Sequence, residues 1–206
     1  MNSLVYMREF ILLALKAPTS PDFDLNNMPE SGRMDLVCRT ISNSLYVSMK
    51  IRQDTVIHVC LNGPSSSPKI VSFYGESLVG MEFDERSVAK FLQEALAAGL
   101  SLKLGEEKQV RPGLGVSKKA FETLVKEKAD EGKQLIYLDE KGQDIRTFNF
   151  KENPVIILGD FIGVPKNTEK LLKRLGSEKL KLGPVMLFAS HCPVLVHNEL
   201  DRKEFD

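Results

Sequence analysis

The sequence contains no tryptophan and only three cysteines. Cys38, Cys60 and Cys192 are widely spaced and odd in number, with no CxxC pair and no histidine at zinc-ligand spacing. That excludes a disulfide framework and a structural zinc site, and it fits a reducing cytoplasm. Charge of either sign is not in excess, with 28 basic and 28 acidic side chains, so no long-range field draws the chain onto a polyanion; any nucleic-acid contact must come from local patches. There is no long apolar run: in MNSLVYMREFILLALKAP, Arg8 and Glu9 interrupt the hydrophobic stretch, which is too short to span a bilayer. It reads as a buried strand rather than a signal peptide, and no membrane partner is expected. Internal repeats, low-complexity tracts and long linkers are also missing, and neither GxGxxG nor a P-loop occurs. A single domain over residues 1–206 is the simplest organisation.

What remains is ordinary globular material, 42% hydrophobic and 27% charged, too apolar for a disordered chain. EFILLAL is a continuous apolar run ending before Pro18 and Pro21, the pattern of a strand buried on both faces of a parallel sheet. From Arg33 to Lys50 the apolar residues recur near helical spacing, which predicts an amphipathic helix. DTVIHVCL and KIVSFYG predict adjacent strands. Asp84 is placed to cap a helix through DERSVAKFLQEALAAG, with Gly99 as a left-handed stop. Residues 99–117 show little periodicity and read as an exposed loop, and a helix is predicted from Ser117 to about Gly132. QLIYL, NPVIILGD and PVMLFAS read as three further strands, separated by a turn-rich segment and a charged helical one. Alternation of strands and helices predicts an α/β fold, a mostly parallel sheet flanked by helices.

Two of the late strands run into PVIILGDFIG and VMLFASHC. Ligands of open α/β sheets bind outside the carboxyl ends of the strands, and Gly159 and Gly163 allow close backbone approach there; ordinary strand-ending turns explain the same residues. Asp160 fits either a ligand hydroxyl or a turn cap. His191 and Cys192 are adjacent and so do not face each other as a nucleophile pair, and His58 and His197 read as structural. Lys166, Lys170, Lys173, Arg174, Lys179 and Lys181 form a locally basic run against Glu169 and Glu178, suited to phosphate or simply a solvated helix face. Arg33, Arg39 and Arg52 lie close in sequence to Asp35 and Asp54, for which intramolecular pairing is the plain explanation.

SGRMDLVCR, IRQD, FDER, LDEKGQD, ILGDFIG and LFASHC, closed by HNELD, occur in the order seen in archaeal tRNA pseudouridine N1-methyltransferases. From Met7 to Asp201 the chain resembles that family of the SPOUT superfamily. The resemblance implies a homodimer whose C-terminal part, about residues 134–201, is threaded into a trefoil knot that holds S-adenosylmethionine. It implies a cofactor pocket from the loops after QLIYL, after VIILG and around LKLGPVMLFASHC, lined by Leu138, Gly159 and Cys192 with Gly163, Gly183 and Leu187. Arg33, Arg39, Arg52, Asp54 and Arg86 fall on the RNA side, with Asp35 or Asp160 as base and no metal. Asp139, Phe161 and Phe188 stand where many relatives have histidine, so histidine-borne proton transfer is not expected at those positions. The implied reaction is N1-methylation of a T-loop pseudouridine, position 54 of tRNA. The alternatives are the same chemistry on a ribosomal pseudouridine, a non-catalytic knotted RNA-binding dimer, and a generic nucleotide-binding module.

Overall fold

The computed structural model describes residues 7–205; residues 1–6 of the opening run lie outside the described part. In chain order the elements are β1 (Arg8–Ala14), α1 (Met34–Leu45), β2 (Tyr46–Val47), β3 (Lys50–Ile51), β4 (Thr55–Leu61), β5 (Lys69–Tyr74), α2 (Glu85–Ala98), β6 (Glu107–Arg111), β7 (Leu114–Ser117), α3 (Phe121–Asp130), β8 (Leu135–Asp144), β9 (Val155–Gly159), α4 (Lys166–Arg174), β10 (Glu178–Lys181) and α5 (Cys192–Phe205). Eight strands form one sheet in the order β10-β8-β9-β1-β4-β5-β7-β6. The five from β10 to β4 run parallel, and β5, β7 and β6 complete the sheet antiparallel.

β1 is buried along its whole length because it pairs with β4 on one side and β9 on the other, under helices on both faces. Its period-two alternation sorts the core. Phe10, Leu12 and Ala14 join one hydrophobic layer with residues of α1, α2 and α5, while Ile11 and Leu13 join the other with α3 and α4. Each fully buried Leu, Ile or Phe in these layers contributes roughly 1.5–3 kcal/mol relative to exposure, which fixes the register of the central strand.

Five expectations from the sequence need correcting. The first helix ends at Leu45 rather than Lys50, because the β-prone Tyr46 and Val47 turn back through Ser48 at φ 54° to pair with β3, and the Leu45 carbonyl accepts the Arg52 amide. Asp84 does cap α2, its Oδ1 accepting the Ser87 amide at 3.0 Å, but Gly99 is not left-handed (φ −90°). Glycine is required there for space: a Cβ would sit 2.8 Å from Val116 Cγ2. The segment expected to be a loop carries the hairpin β6–β7, whose alternating Leu114 and Val116 are buried against α2. The helix expected from Ser117 starts only at Phe121, since Ser117 still belongs to β7.

PVMLFAS, the fifth, is not a strand. The last sheet position is taken by β10, with the sequence EKLK, leaving Val185 69%, Met186 85% and Phe188 69% exposed. The chain then makes a single 3₁₀ turn at Ala189–His191 against α1, where Asn43 Nδ2 donates to the Ser190 carbonyl at 2.6 Å.

A Gly99→Ala chain is expected to lose about 1–2 kcal/mol of unfolding free energy, because the β-branched Val116 cannot swing aside. In a Val116→Ala background the added cost of Gly99→Ala should shrink toward zero, which a double-mutant cycle of denaturant midpoints measures.

Candidate active site

The carboxyl ends of β1, β8, β9 and β10 lie along one edge of the sheet, and backbone that takes no part in strand pairing collects there. After Gly159 the chain turns back so sharply that a Cβ on this residue would lie 2.6 Å from the Gly163 carbonyl carbon, and Gly163 itself has φ 81°. Asp160 sets the turn: its Oδ1 accepts the Ile162 amide and its Oδ2 the Leu15 amide, each at 2.8 Å, tying the β9 loop to the end of β1. Burial pushes the Asp160 pKa up, against the hydrogen bonds from those amides, which pull it down. Beside it, β8 pairs with β10 in two registers. Lys179 faces Tyr137 but Leu180 faces Gln143, so residues 138–142 loop outward, and Gly142 allows this by passing against the Leu180 backbone. Leu138 begins this excursion, half-buried on the core, and Asp139 holds Lys179 at 2.7 Å.

The start of α1 reaches the same edge. Gly32 and Arg33 are both left-handed, with φ 64° and 65°, and a Cβ on Gly32 would collide with the Lys16 carbonyl just beyond β1. A left-handed arginine is strained, and such strain persists where the surroundings over-determine it. Here Arg33 donates Nε and Nη2 to the two oxygens of Asp35 (2.9 and 3.0 Å), and its guanidinium lies 5.7 Å from the centre of the Phe161 ring in the β9 loop. Arg39, one turn along α1, donates to Asp35 at 2.6 Å and to Glu85 of α2 at 3.0 Å. The carboxylate is buried (7% exposed) whereas both guanidinium side chains are about two-fifths exposed, at 41% and 40%. Burial alone would raise the Asp35 pKa, but hydrogen bonds from Arg33, Arg39 and the Leu36 amide hold it below the ordinary carboxylate value. Arg86, on the first turn of α2, is exposed and bonded to Asn26 Oδ1 at 3.0 Å.

Arg52 and Asp54 are not brought to this edge. They precede β4, at the opposite end of strands about 20 Å long. There Arg52 donates to both oxygens of Asp201 (3.1 and 2.6 Å), and Arg8, itself 1% exposed, pairs with Asp54 at 3.2 Å and Asp201 at 2.6 Å. His197 is buried among them, with Nε2 donating to the Ser44 carbonyl and Nδ1 facing Arg8 at 3.1 Å. Intramolecular pairing thus accounts for Arg33, Arg39 and Arg52, although the partner of Arg52 is chiefly Asp201. His58 is structural as well, lodged between Glu9 and Ser72. Sequence reading missed Glu85 and Phe161 as partners of the arginines; only the i, i+4 spacing of Asp35 and Arg39 was visible in one dimension.

Leu138, Gly159, Gly163 and Gly183 therefore stand at the ends of neighbouring strands, while Leu187 and Cys192 lie in the segment returning from β10 toward α1. Burial raises the Cys192 thiol to about 11, and it is a poor nucleophile at neutral pH. The surroundings suit an adenosyl ligand: Gly163 and Gly183 have open space where a Cβ would be, and Leu138, Leu182, Ala189 and Cys192 offer half-buried apolar surface.

Residues 7–205 match the model of a family described as "Putative SAM-dependent RNA methyltransferase". The chain belongs to this family. It is 39% identical over 201 residues to the tRNA (pseudouridine(54)-N(1))-methyltransferase of Methanocaldococcus jannaschii, covering 96% of this chain and 98% of that relative. It is 41% identical over 202 residues to the Methanosarcina acetivorans protein of the same name, covering 96% and 92%. The crystal structure of Archaeoglobus fulgidus Nep1 bound to S-adenosylhomocysteine superposes with a TM-score of 0.64 at 13% identity, over 97% of this chain and all of that one. The mostly parallel, helix-flanked sheet expected of a SPOUT enzyme is thus present, in a family that uses S-adenosylmethionine. Among the described residues no cluster suited to a metal ion occurs, and no helix is long and apolar enough to cross a membrane.

The network at the opposite edge makes stability depend on pH. Burial, reinforced by the charges of Arg52 and Arg8, lowers the His197 pKa to about 4 from an ordinary 6.5. The unfolded chain therefore takes up a proton on this residue before the folded one does. The associated stability is complete above pH 6.5 and is lost as pH falls toward 4, a difference of about 3 kcal/mol. His197→Gln, which can still accept from Arg8 and donate to Ser44, should flatten the slope of unfolding free energy between pH 6.5 and 4.5, measured by urea titration at each pH.

Proposed function

We propose that this chain is a tRNA (pseudouridine(54)-N(1))-methyltransferase, working in the cytoplasm as a homodimer. The observation that carries this reading is the pair of half-exposed guanidinium groups held on one buried carboxylate, Asp35, at the edge where the loops of β8, β9 and β10 collect. The names of near-full-length relatives supply the substrate. S-adenosylmethionine, when bound, supplies a methyl group already activated by its sulfonium. The loops at 138–142, 159–163 and 182–188 would hold it, largely through backbone groups, with Leu138, Gly159, Gly163, Gly183, Leu187 and Cys192 as the lining.

The protein must then orient a nucleobase nitrogen and relieve it of one proton. The N1 hydrogen of pseudouridine is that of a vinylogous imide, so its loss puts negative charge on the neighbouring O2 and, through the C5–C6 double bond, on O4. Arg33 Nη1, which has no partner among the described residues, and the Arg39 guanidinium are donors placed for that charge. Asp35, held low in pKa by the same arginines, orients them rather than taking the proton. Asp160, whose burial raises its proton affinity, is the acceptor in this reading. Arg86 adds a further cation on the same side, and the splayed base enters from a loosened T-loop. Arg52 and Asp54 contribute from the opposite edge only if the RNA or a second protomer reaches it.

Exposed Val185, Met186, Phe188, Val194 and Leu195 support a second copy of the chain covering this face. The passage of residues 182–188 from β10 across to α1 supports a knotted cofactor segment within 134–201 of a single domain.

Labelled S-adenosylmethionine offered with two T-loop RNAs, one bearing pseudouridine and the other uridine, tests the reaction, with product nucleosides identified by mass spectrometry. Transfer to N1 of the pseudouridine RNA alone is expected. Transfer to neither, with cofactor bound, points to another RNA such as a ribosomal one, and absence of cofactor binding leaves the non-catalytic dimer. Arg33→Ala should lower kcat by about 100-fold while S-adenosylmethionine affinity holds, the loss typical of one removed charge-stabilising donor. Gly159→Val should abolish measurable cofactor binding in calorimetry and leave the oligomeric state unchanged, because the collision with Gly163 opens the loop.

A further inference from the structure

We infer that the exposed face of α4 is the track on which the RNA backbone lies, an assignment that rests on the RNA-methyltransferase reading and adds a second contact region to it. With no net charge to draw on, phosphate binding favours cations whose charge is not already neutralised inside the protein. Arg8, Arg33, Arg39, Arg52, Lys119, Lys128 and Lys179 are each bound to carboxylates. On α4 the position differs. At 100° per residue, Lys166, Lys170, Lys173 and Arg174 fall within an arc of about 100° opposite the buried Thr168, Leu171 and Leu172. All four are exposed, and none has an ion-pair partner among the described residues.

The nearby acids are engaged by other partners. Glu169 accepts from the Tyr137 hydroxyl at 3.3 Å, Glu178 accepts from Gln134 Nε2 at 2.7 Å, and Asp139 is occupied by Lys179. Asn167, Lys170, Lys173 and Arg174 border a shallow depression open to solvent on the surface of α4. Helix stabilisation does not explain the set. Lys173 and Arg174 suit the negative end of the helix dipole, but Lys166 stands in the first turn, against it.

The placement suits the chemistry. α4 begins six residues after Asp160, directly beyond the β9 loop, and runs away from the carboxyl edge along the face shared with α3. From Lys166 to Arg174 is about 12 Å along the axis, a length over which one strand passes a few phosphates. RNA whose base is turned into the edge between Arg33 and the β9 loop can lay its adjoining backbone on these four side chains. They fix the register of the RNA and read no sequence, as phosphate contacts do.

The test is binding of an unmodified tRNA transcript to the full chain between 50 and 200 mM KCl, followed by fluorescence anisotropy. The triple variant Lys170→Gln, Lys173→Gln, Arg174→Gln keeps good helix formers on a solvent-facing surface. It should bind tRNA about tenfold or more weakly, and its plot of log affinity against log salt should be shallower by about 2–3. Methyl-transfer KM for RNA should rise while kcat at saturating RNA, S-adenosylmethionine affinity and melting temperature stay near wild type. Two variants separate position from net charge. Lys170→Arg, Lys173→Arg, Arg174→Lys should retain binding, and Lys90→Gln, Lys103→Gln, Lys108→Gln, which removes equal charge from exposed sites around the other end of the sheet, should change affinity little. If wild-type protein binds tRNA and the α4 variant binds it with the same affinity and slope, or if the distant variant loses as much, the assignment to α4 is overturned while the methyltransferase reading stands. If wild-type protein binds S-adenosylmethionine but no tRNA, the tRNA reading fails and the α4 track with it.

Discussion

The carboxyl edge of the sheet depends on one close approach, that of Gly159 to the backbone of Gly163. A side chain at position 159 would occupy the space of a peptide group, so the chain leaving β9 folds back only because none is present. Asp160 then accepts two backbone amides, from its own turn and from the end of β1, and so holds adjacent strand ends in one unit. The Arg33–Phe161 contact carries that unit to the start of α1, where left-handed Gly32 and Arg33 aim a guanidinium at the same edge. Strain at Arg33 is tolerated because Asp35, Phe161 and the Lys16 carbonyl leave the segment little other conformation.

Charge is distributed on the same plan. A chain with as many acids as bases could have scattered its ion pairs. Instead, much of its buried pairing forms two networks at opposite ends of the central strands. At the amino-terminal edge, Arg8, Arg52, Asp54 and Asp201 surround a neutral His197 and join α5 to the sheet, so removing one partner would leave the charges of the network unbalanced. At the carboxyl edge the carboxylate is buried and the guanidinium groups remain half in water, which leaves donors for a ligand. The first arrangement is closed and serves stability; the second is open and can serve recognition. A buried trio on the second hydrophobic layer, Glu9 with His58 and Lys128, belongs to the closed kind: burial alone would raise the Glu9 pKa, but His58 and Lys128 hold it at about 2.

How much of this was legible in one dimension follows from the range of each interaction. β1, β4 and β9 were readable as short continuous apolar runs, α2 and α4 because their burial follows the helical period, and Asp84 because a cap lies three residues from the amide it bonds. The hairpin β6–β7 was not. Its turn carries Pro112 and Gly113, which read as loop, and its clearest pattern is the alternation of Leu114 and Val116, which acquires meaning against α2. PVMLFAS failed in the other direction, with strand-like composition but no free sheet edge to join, since EKLK had taken it. At the site, Gly159, Asp160 and Arg33 stood out through ordered motifs shared with a family, whereas the separation of Arg52 and Asp54 from them had no local signal.

The sequence by itself determined the α/β class, the central buried strand and the cofactor family, because periodicity, capping and ordered motifs act over a few positions. Only the tertiary structure decided which of the motif residues meet. Strand order places the ends of β8, β9 and β10 together, and strand length sets Arg33 and Arg52 at opposite edges. Through-space pairing then neutralises most of the arginines while leaving the cations of α4 exposed, and no spacing along the chain encodes which charges find partners.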